Sequence, residues 1–226
     1  MSESERYAWK EIPGSSHDVL RQKIRSLPAG LRLLDLGAAG GHLGRAVRDR
    51  CAYLAAVEPD PGLPASCRDG YDDWRPTDAL SAGTWDRPFD AVVCADVLEH
   101  LARPEDLLGR IRQWLRPGGT LLVSLPNVAN LTVRLALLAG RFPYAERGIL
   151  DRTHLRFYTR RSAKDLIVTS GFRLRSLAAT AMPCELAFPV LGRPPLSGPV
   201  RSLASGAARL WPTLFGYQFV IEAERT

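Results

Sequence analysis

The chain has 226 residues and is 46 % hydrophobic, enough for one domain with a full core. Its net charge of +6 is uneven: residues 141–226 hold 13 basic and 6 acidic side chains, against 17 and 18 in residues 1–140. The polar, charged stretch Met1 to Glu11 argues against a secretory leader, and no apolar run is long enough to span a bilayer. Basic residues are not interleaved with aromatics, which argues against a single-stranded nucleic-acid groove.

In chain order, Ser15-Ser16-His17-Asp18 reads as a helix start with Ser16 as the cap, and Val19, Leu20 and Ile24 as its buried face. Pro28-Ala29-Gly30 ends it. Leu31 to Leu36 reads as a first strand, Gly41 to Arg50 as a crossover helix, and Ala52 to Val57 as a second strand. Residues 59–88 are rich in Pro, Gly and Asp, and a third strand fits best near Asp73 to Arg75. Phe89 to Cys94 is a fourth, buried strand. Pro104 suits the first position of a helix, with Glu105 and Asp106 at its positive end and Leu107, Leu108, Ile111, Trp114 and Leu115 as its apolar stripe. Pro117-Gly118-Gly119 stops that helix, and Thr120 to Leu125 is strand five. A helix capped by Thr159 and ended by Gly171 leads to a strand over Phe172 to Leu177. Pro199 to Trp211 has helical spacing, and Tyr217 to Ala223 forms a terminal strand. Strands alternating with helices at this spacing argue for a doubly wound parallel sheet. The four cysteines (Cys51, Cys67, Cys94, Cys184) lie far apart, as expected of reduced thiols in a cytoplasmic protein.

One stretch carries the chemistry: Asp35-Leu36-Gly37-Ala38-Ala39-Gly40-Gly41-His42-Leu43-Gly44. Small residues between a strand and a helix bring backbone N–H groups against a ligand at a strand's carboxyl end. A dinucleotide fingerprint starting at Gly37 would need glycines where Ala39 and His42 stand. The acid two residues earlier makes the stretch resemble the first motif of class I S-adenosylmethionine-dependent methyltransferases, with Ala39 replacing the middle glycine. Phe89 to Leu101, containing Cys94-Ala95-Asp96-Val97-Leu98-Glu99-His100, closely resembles the fourth-strand motif of the small-molecule members. The resemblance implies a Rossmann-like α/β fold, with a seven-stranded sheet, mostly parallel, and an antiparallel C-terminal strand. The whole chain, 1–226, then forms one domain. It comprises an N-terminal helix or lid (1–30), a cofactor-binding core (31–177), a helical insertion between the last two strands (178–212) and the terminal strand (213–226).

The same resemblance implies S-adenosyl-L-methionine as cofactor, held by Asp35, Gly37, Ala38 and Gly41, with Glu58 and Pro59 after strand two. An acid at Glu58 can accept two hydrogen bonds from a ribose diol. Asp78 and Ala79 are expected beside the adenine, and Ala95, Asp96 and His100 around the methionine portion. Glu99 reads as a solvated acid at a helix end.

A third segment, Leu125 to Asn130 followed by Gly148 to Thr159, resembles bacterial methyltransferases of sugar, polysaccharide and natural-product pathways. Tyr7, Asn127, Asp151, Arg152 and Tyr158 are the expected acceptor-site residues. In an extended conformation His154, Arg156 and Tyr158 would share one face. His154 reads either as a general base for an acceptor hydroxyl or as a structural residue holding a lid. The expected function is methyl transfer to a small molecule, to oxygen before nitrogen; a non-catalytic cofactor-binding partner is the alternative from another class. The positive C-terminal third suggests an anionic or nucleotide-linked acceptor. No metal is expected, because His17, His42, His100 and His154 are widely spaced.

Overall fold

The structure, a computed structural model, describes residues 13–182 and 197–226. Seven strands form one sheet: β1 (Leu31–Leu36), β2 (Cys51–Val57), β3 (Asp73–Arg75), β4 (Phe89–Ala95), β5 (Leu115–Pro126), β6 (Phe172–Ala181) and β7 (Gly216–Arg225), in the order β3-β2-β1-β4-β5-β7-β6. Neighbours are parallel except where β7 runs against β5 and β6. This is the expected mixed sheet. The central strands are buried on both faces, so they read as continuous apolar runs rather than alternating ones.

Helices cover both faces. On one, Leu20 and Ile24 of α1 (Ser16–Ser26) and Leu43 and Val47 of α2 (His42–Val47) pack on Leu33, Leu54 and Val93. On the other, Leu107, Ile111 and Trp114 of α3 (Pro104–Trp114) and Ala163 and Ile167 of a later helix pack on Leu34, Leu36 and Val92. Pairs such as Leu33 and Leu34 alternate between these two cores, as the pleat requires.

Several boundaries shift. The cap of α1 is Ser15: its backbone is extended and its Oγ accepts the Asp18 N–H at 3.3 Å, while Ser16 is already helical and buried. Strand β5 starts at Leu115. Pro117-Gly118-Gly119 therefore forms an irregularity inside the strand, where the register to β4 shifts, and the helix has already ended at Trp114. Strand β6 continues to Ala181 because Ala178, Ala179 and Ala181 find partners in Val220, Phe219 and Gly216, so the insertion cannot begin at 178. Of that insertion, residues 183–196 lie outside the described residues. α6 (Ser197–Leu210) and the short α7 (Pro212–Phe215) follow, so the segment assigned to the terminal strand begins as a helix.

The expected acceptor role of Asn127 is also corrected. The residue is fully buried and its side chain is occupied: Nδ2 donates to the carbonyls of Thr213 (3.0 Å) and Gly216 (2.8 Å), and Oδ1 accepts the Ala129 N–H (3.0 Å). Asn130 repeats the device. It caps α4 (Leu131–Leu138) through the Thr132 N–H and donates to the same Gly216 carbonyl at 2.8 Å. The two asparagines fasten the end of β5 to the start of β7. α5 (Arg160–Thr169) begins at the predicted cap, Thr159, which forms a capping box with Ser162. Asn127→Ala removes all three hydrogen bonds of that side chain, leaving the Gly216 carbonyl with Asn130 alone, and is expected to cost about 2–3 kcal/mol. Thermal unfolding should show this as a fall in Tm on the order of 4–10 °C; an unchanged Tm would contradict the assignment.

Candidate active site

A cavity of about 590 Å³ opens at the carboxyl ends of the central strands, where the winding reverses between β1 and β4. Gly37 (φ 71°) turns the chain out of β1, and its N–H donates to Val57 at 2.8 Å. Gly41 (φ 68°) opens α2, and a Cβ there would collide with the Cys67 carbonyl. Between them Ala39 sits at φ 45°, in the left-handed region, at a cost on the order of 1–2 kcal/mol. Ala39 thus holds a glycine conformation. Its N–H donates to Glu58 Oε2 at 2.7 Å, and the Asp60 N–H donates to Oε1 at 2.9 Å, so the acid is fixed with further lone pairs to offer. Burial raises the Glu58 carboxyl above its ordinary value.

Asp35 is buried beneath this loop, and burial pushes its carboxyl up to about 7. Its one neutral support is the Tyr71 hydroxyl, which donates to Oδ2 at 2.8 Å. Gly44 makes that contact possible, because a Cβ there would strike the Tyr71 hydroxyl. Tyr71 carries no sequence signal: it lies in the Pro- and Asp-rich stretch and reaches Asp35 only through the fold.

The end of β4 builds the facing wall. Asp96 (φ 54°) accepts from Ser124 Oγ at 2.6 Å and from Gln218 Nε2 at 2.8 Å to each oxygen. Gln218 and its neighbour Tyr217 line the cavity from β7, and sequence reasoning missed both. Only the antiparallel register, which sets Pro126 opposite Gln218, brings them there. Asp78 and Ala79 line the far end, where Asp78 caps a short 3₁₀ turn through the Ser81 N–H at 3.0 Å. Pro59 and Ala38 also lie on the lining.

Glu99 departs most from its sequence reading. It is fully buried, neither carboxylate oxygen has a hydrogen-bond partner, and burial pushes its carboxyl well up. Its carbonyl accepts from the Leu155 (2.8 Å) and Arg156 (3.0 Å) N–H groups, which folds the 148–158 segment back over the cavity. His154 and His100 thereby come edge to face, with ring centroids 4.9 Å apart. His154 is 9 % exposed, its Nδ1 lies 3.1 Å from the Ile149 carbonyl, and burial lowers its pKa below 6.5. Nδ1 therefore carries the proton, and Nε2 keeps a free lone pair.

The other expected acceptor residues divide. Asp151 lines the cavity, although its Oδ1 accepts from the Thr153 N–H (2.8 Å) and hydroxyl (2.6 Å). Arg152 is exposed and pairs with Glu146 at 3.0 Å, while Tyr158 is buried in the main core; neither lines the cavity. The shared face of His154, Arg156 and Tyr158 fails because the segment turns instead of extending. His154 and Tyr158 point inward, while Arg156 is exposed and donates to the Ala102 carbonyl. Tyr7 lies outside the described residues.

The positive charge does not converge on the cavity. Arg173 and Arg175 pair with Glu224, and Arg225 donates to the Leu115 carbonyl. Among the described residues, Asp35, Glu58, Asp60, Asp78, Asp96, Glu99 and Asp151 line the cavity against a single arginine, Arg147. Such a wall suits a cation rather than an anion.

The raised Asp35 pKa has a consequence for stability. Its folded value (about 7) exceeds the ordinary 3.8, so the fold loses stability as pH rises between those values. Asp35→Asn should therefore be more stable than the parent at pH 7.5, by on the order of 2–4 kcal/mol. The gain should vanish below about pH 4. Thermal unfolding of both proteins from pH 4 to 8 checks this, and a pH-independent difference would contradict it.

No helix among the described residues is long and apolar enough to cross a membrane. Residues 10–177 match a methyltransferase domain family. The chain is 29 % identical over 123 residues to a ubiquinone biosynthesis O-methyltransferase of Xylella fastidiosa, covering 50 % of this chain and 49 % of the relative. It thus spans about half the length of that curated relative. Its fold is similar to an S-adenosylmethionine-dependent methyltransferase of Archaeoglobus fulgidus (TM-score 0.64, 19 % identity, 92 % of each chain). It is also similar to the N-methyltransferase NodS of Bradyrhizobium japonicum, solved with S-adenosyl-L-homocysteine (TM-score 0.61, 15 % identity, 99 % of this chain and 96 % of that one). With the matched region running from before α1 through most of β6, the chain belongs to the methyltransferase domain family.

Proposed function

We propose that this chain is an S-adenosylmethionine-dependent methyltransferase that acts on a hydroxyl of a small, uncharged molecule in the cytoplasm. The observation that carries the reading is the pairing of two buried acids, Asp35 and Glu58, with a left-handed loop over Gly37 to Gly41. Such acids are costly without a positive partner, and a ligand bearing an ammonium and a sulfonium supplies one. Bound there, the cofactor supplies a methyl group activated by its sulfonium. Glu58, held by two backbone N–H groups, accepts from the ribose hydroxyls, and Asp35 faces the ammonium. Asp78 and Ala79 flank the adenine, while Asp96 and Gln218 close the methionine end.

Oxygen is favoured over nitrogen by the corner formed by Glu99, His100 and His154. A hydroxyl must lose its proton to attack, whereas a neutral amine need not. A buried His154 in that corner is placed to promote the loss of that proton. The name of the Xylella relative, an O-methyltransferase, supports the same choice. The free thiols of Cys51, Cys67 and Cys94 suit a reducing compartment.

Calorimetry should show S-adenosylhomocysteine binding and no binding of nicotinamide dinucleotides. Glu58→Ala should weaken the former by roughly 1.5–3 kcal/mol, about 10- to 150-fold. Unchanged affinity would remove Glu58 from the ribose site. His154→Gln should lower turnover of a methylated acceptor by about 10²–10⁴-fold while cofactor affinity holds. A fully active variant would remove His154 from the reaction.

A further inference from the structure

The corner of the cavity that favours oxygen transfer has the composition of a metal site. We propose that Glu99, His100 and His154 bind one divalent transition-metal cation, of the Zn²⁺, Mn²⁺ or Co²⁺ class, which takes the acceptor hydroxyl at an open coordination position. One ligand atom from each of the three residues lies within 4.8 Å of the others. Donors around such a cation, at bond lengths of about 2.0–2.2 Å, sit roughly 3–4 Å apart. Closing the set therefore takes side-chain movements of about 1 Å.

Three observations point to a cation there. Glu99 is fully buried and neither of its oxygens has a protein partner, a state found for carboxylates that are paired or coordinate a metal. Both imidazoles are oriented through Nδ1, His154 on the Ile149 carbonyl at 3.1 Å and His100 on the Thr153 carbonyl at 3.3 Å. That leaves Nε2 as the ligating atom of each ring, in the tautomer that a backbone acceptor imposes on metal-bound histidines. Beyond His100, the Thr153 hydroxyl lies 3.1 Å from Nδ1 and donates to Asp151 at 2.6 Å, which braces the outer side of the site.

Two imidazoles and one carboxylate select a borderline cation over Mg²⁺ or Ca²⁺, which prefer all-oxygen sets, and leave coordination positions open. A hydroxyl bound at one of them gives up its proton to bulk water at a lower pH than the free alcohol or phenol. His154 then acts as a ligand, and the cation performs the activation. The ligation stands on the geometry alone, and only the role of the cation rests on the methyl-transfer reading. The spacing of the histidines along the chain hides the site: His100 and His154 meet only because the Glu99 carbonyl binds the Leu155 and Arg156 N–H groups.

The test is a titration of metal-stripped full-length protein with Co²⁺, followed by its visible d–d absorption, with displacement by Zn²⁺. One equivalent should bind, and Glu99→Gln and His100→Gln should each weaken binding at least tenfold. Glu99→Gln removes an unpartnered buried carboxylate, so its metal-free Tm should equal or exceed that of the parent. Zn²⁺ should raise the parent's Tm and leave the variant's unchanged. Binding well below one equivalent, or equal binding by parent and Glu99→Gln, overturns the proposal. Calorimetry with S-adenosylhomocysteine on the same samples separates the two readings. If that ligand binds and Co²⁺ does not, the metal site falls and methyl transfer stands. If Co²⁺ binds with the expected variant losses and that ligand does not, the metal site stands and methyl transfer falls.

Discussion

The site depends on one constraint: β1 and β4 are parallel neighbours whose connections depart in opposite directions across the sheet. No crossover helix can cover the gap between them, so a crevice remains above Leu36 and Cys94. Both chains leave that gap through left-handed residues, Gly37 on one side and Asp96 on the other. Backbone groups and carboxylates are thereby aimed into one space. A sheet wound in one direction would place the same residues on separate strand ends.

The second governing feature is electrostatic. The cavity gathers acids that the fold only partly supports: Asp35 has Tyr71, Glu58 has two backbone N–H groups, Asp96 has Ser124 and Gln218, and Glu99 has none. That uneven support marks where positive charge is called for. Asp35 and Glu58 lie on the loop side, and Glu99 lies beside two histidines. Each unsupported acid lowers the stability of the free protein, a cost tolerated where binding requires it.

Precision in this region comes from backbone carbonyls acting as anchors. The Glu99 carbonyl binds residues 155 and 156, and the Gly216 carbonyl takes both Asn127 and Asn130. The first brings the two histidines together, and the second sets β7 so that Tyr217 and Gln218 reach the cavity. Both asparagines, Asn127 among them although the sequence suggests it for the acceptor site, thus serve the structure, and their polarity satisfies a turn that would otherwise bury unpaired groups.

Local interactions made much of this protein legible in its sequence. The apolar runs of β1, β2 and β4, the Pro104 and Thr159 helix starts and the Gly37–Gly41 loop each depend on residues within a few positions of one another. Asp35 near the end of β1, Glu58 directly after β2 and Asp78 after β3, all expected from the sequence on the cofactor side, line the cavity. What tertiary structure alone decided involves partners far apart in sequence. Tyr71 supports Asp35, Gln218 holds Asp96, and His154 meets His100 across separations that carry no periodic signal. Burial decided the rest. A Glu after a strand looks the same in sequence whether solvated or enclosed, and only the segment folded over Glu99 excluded water from it.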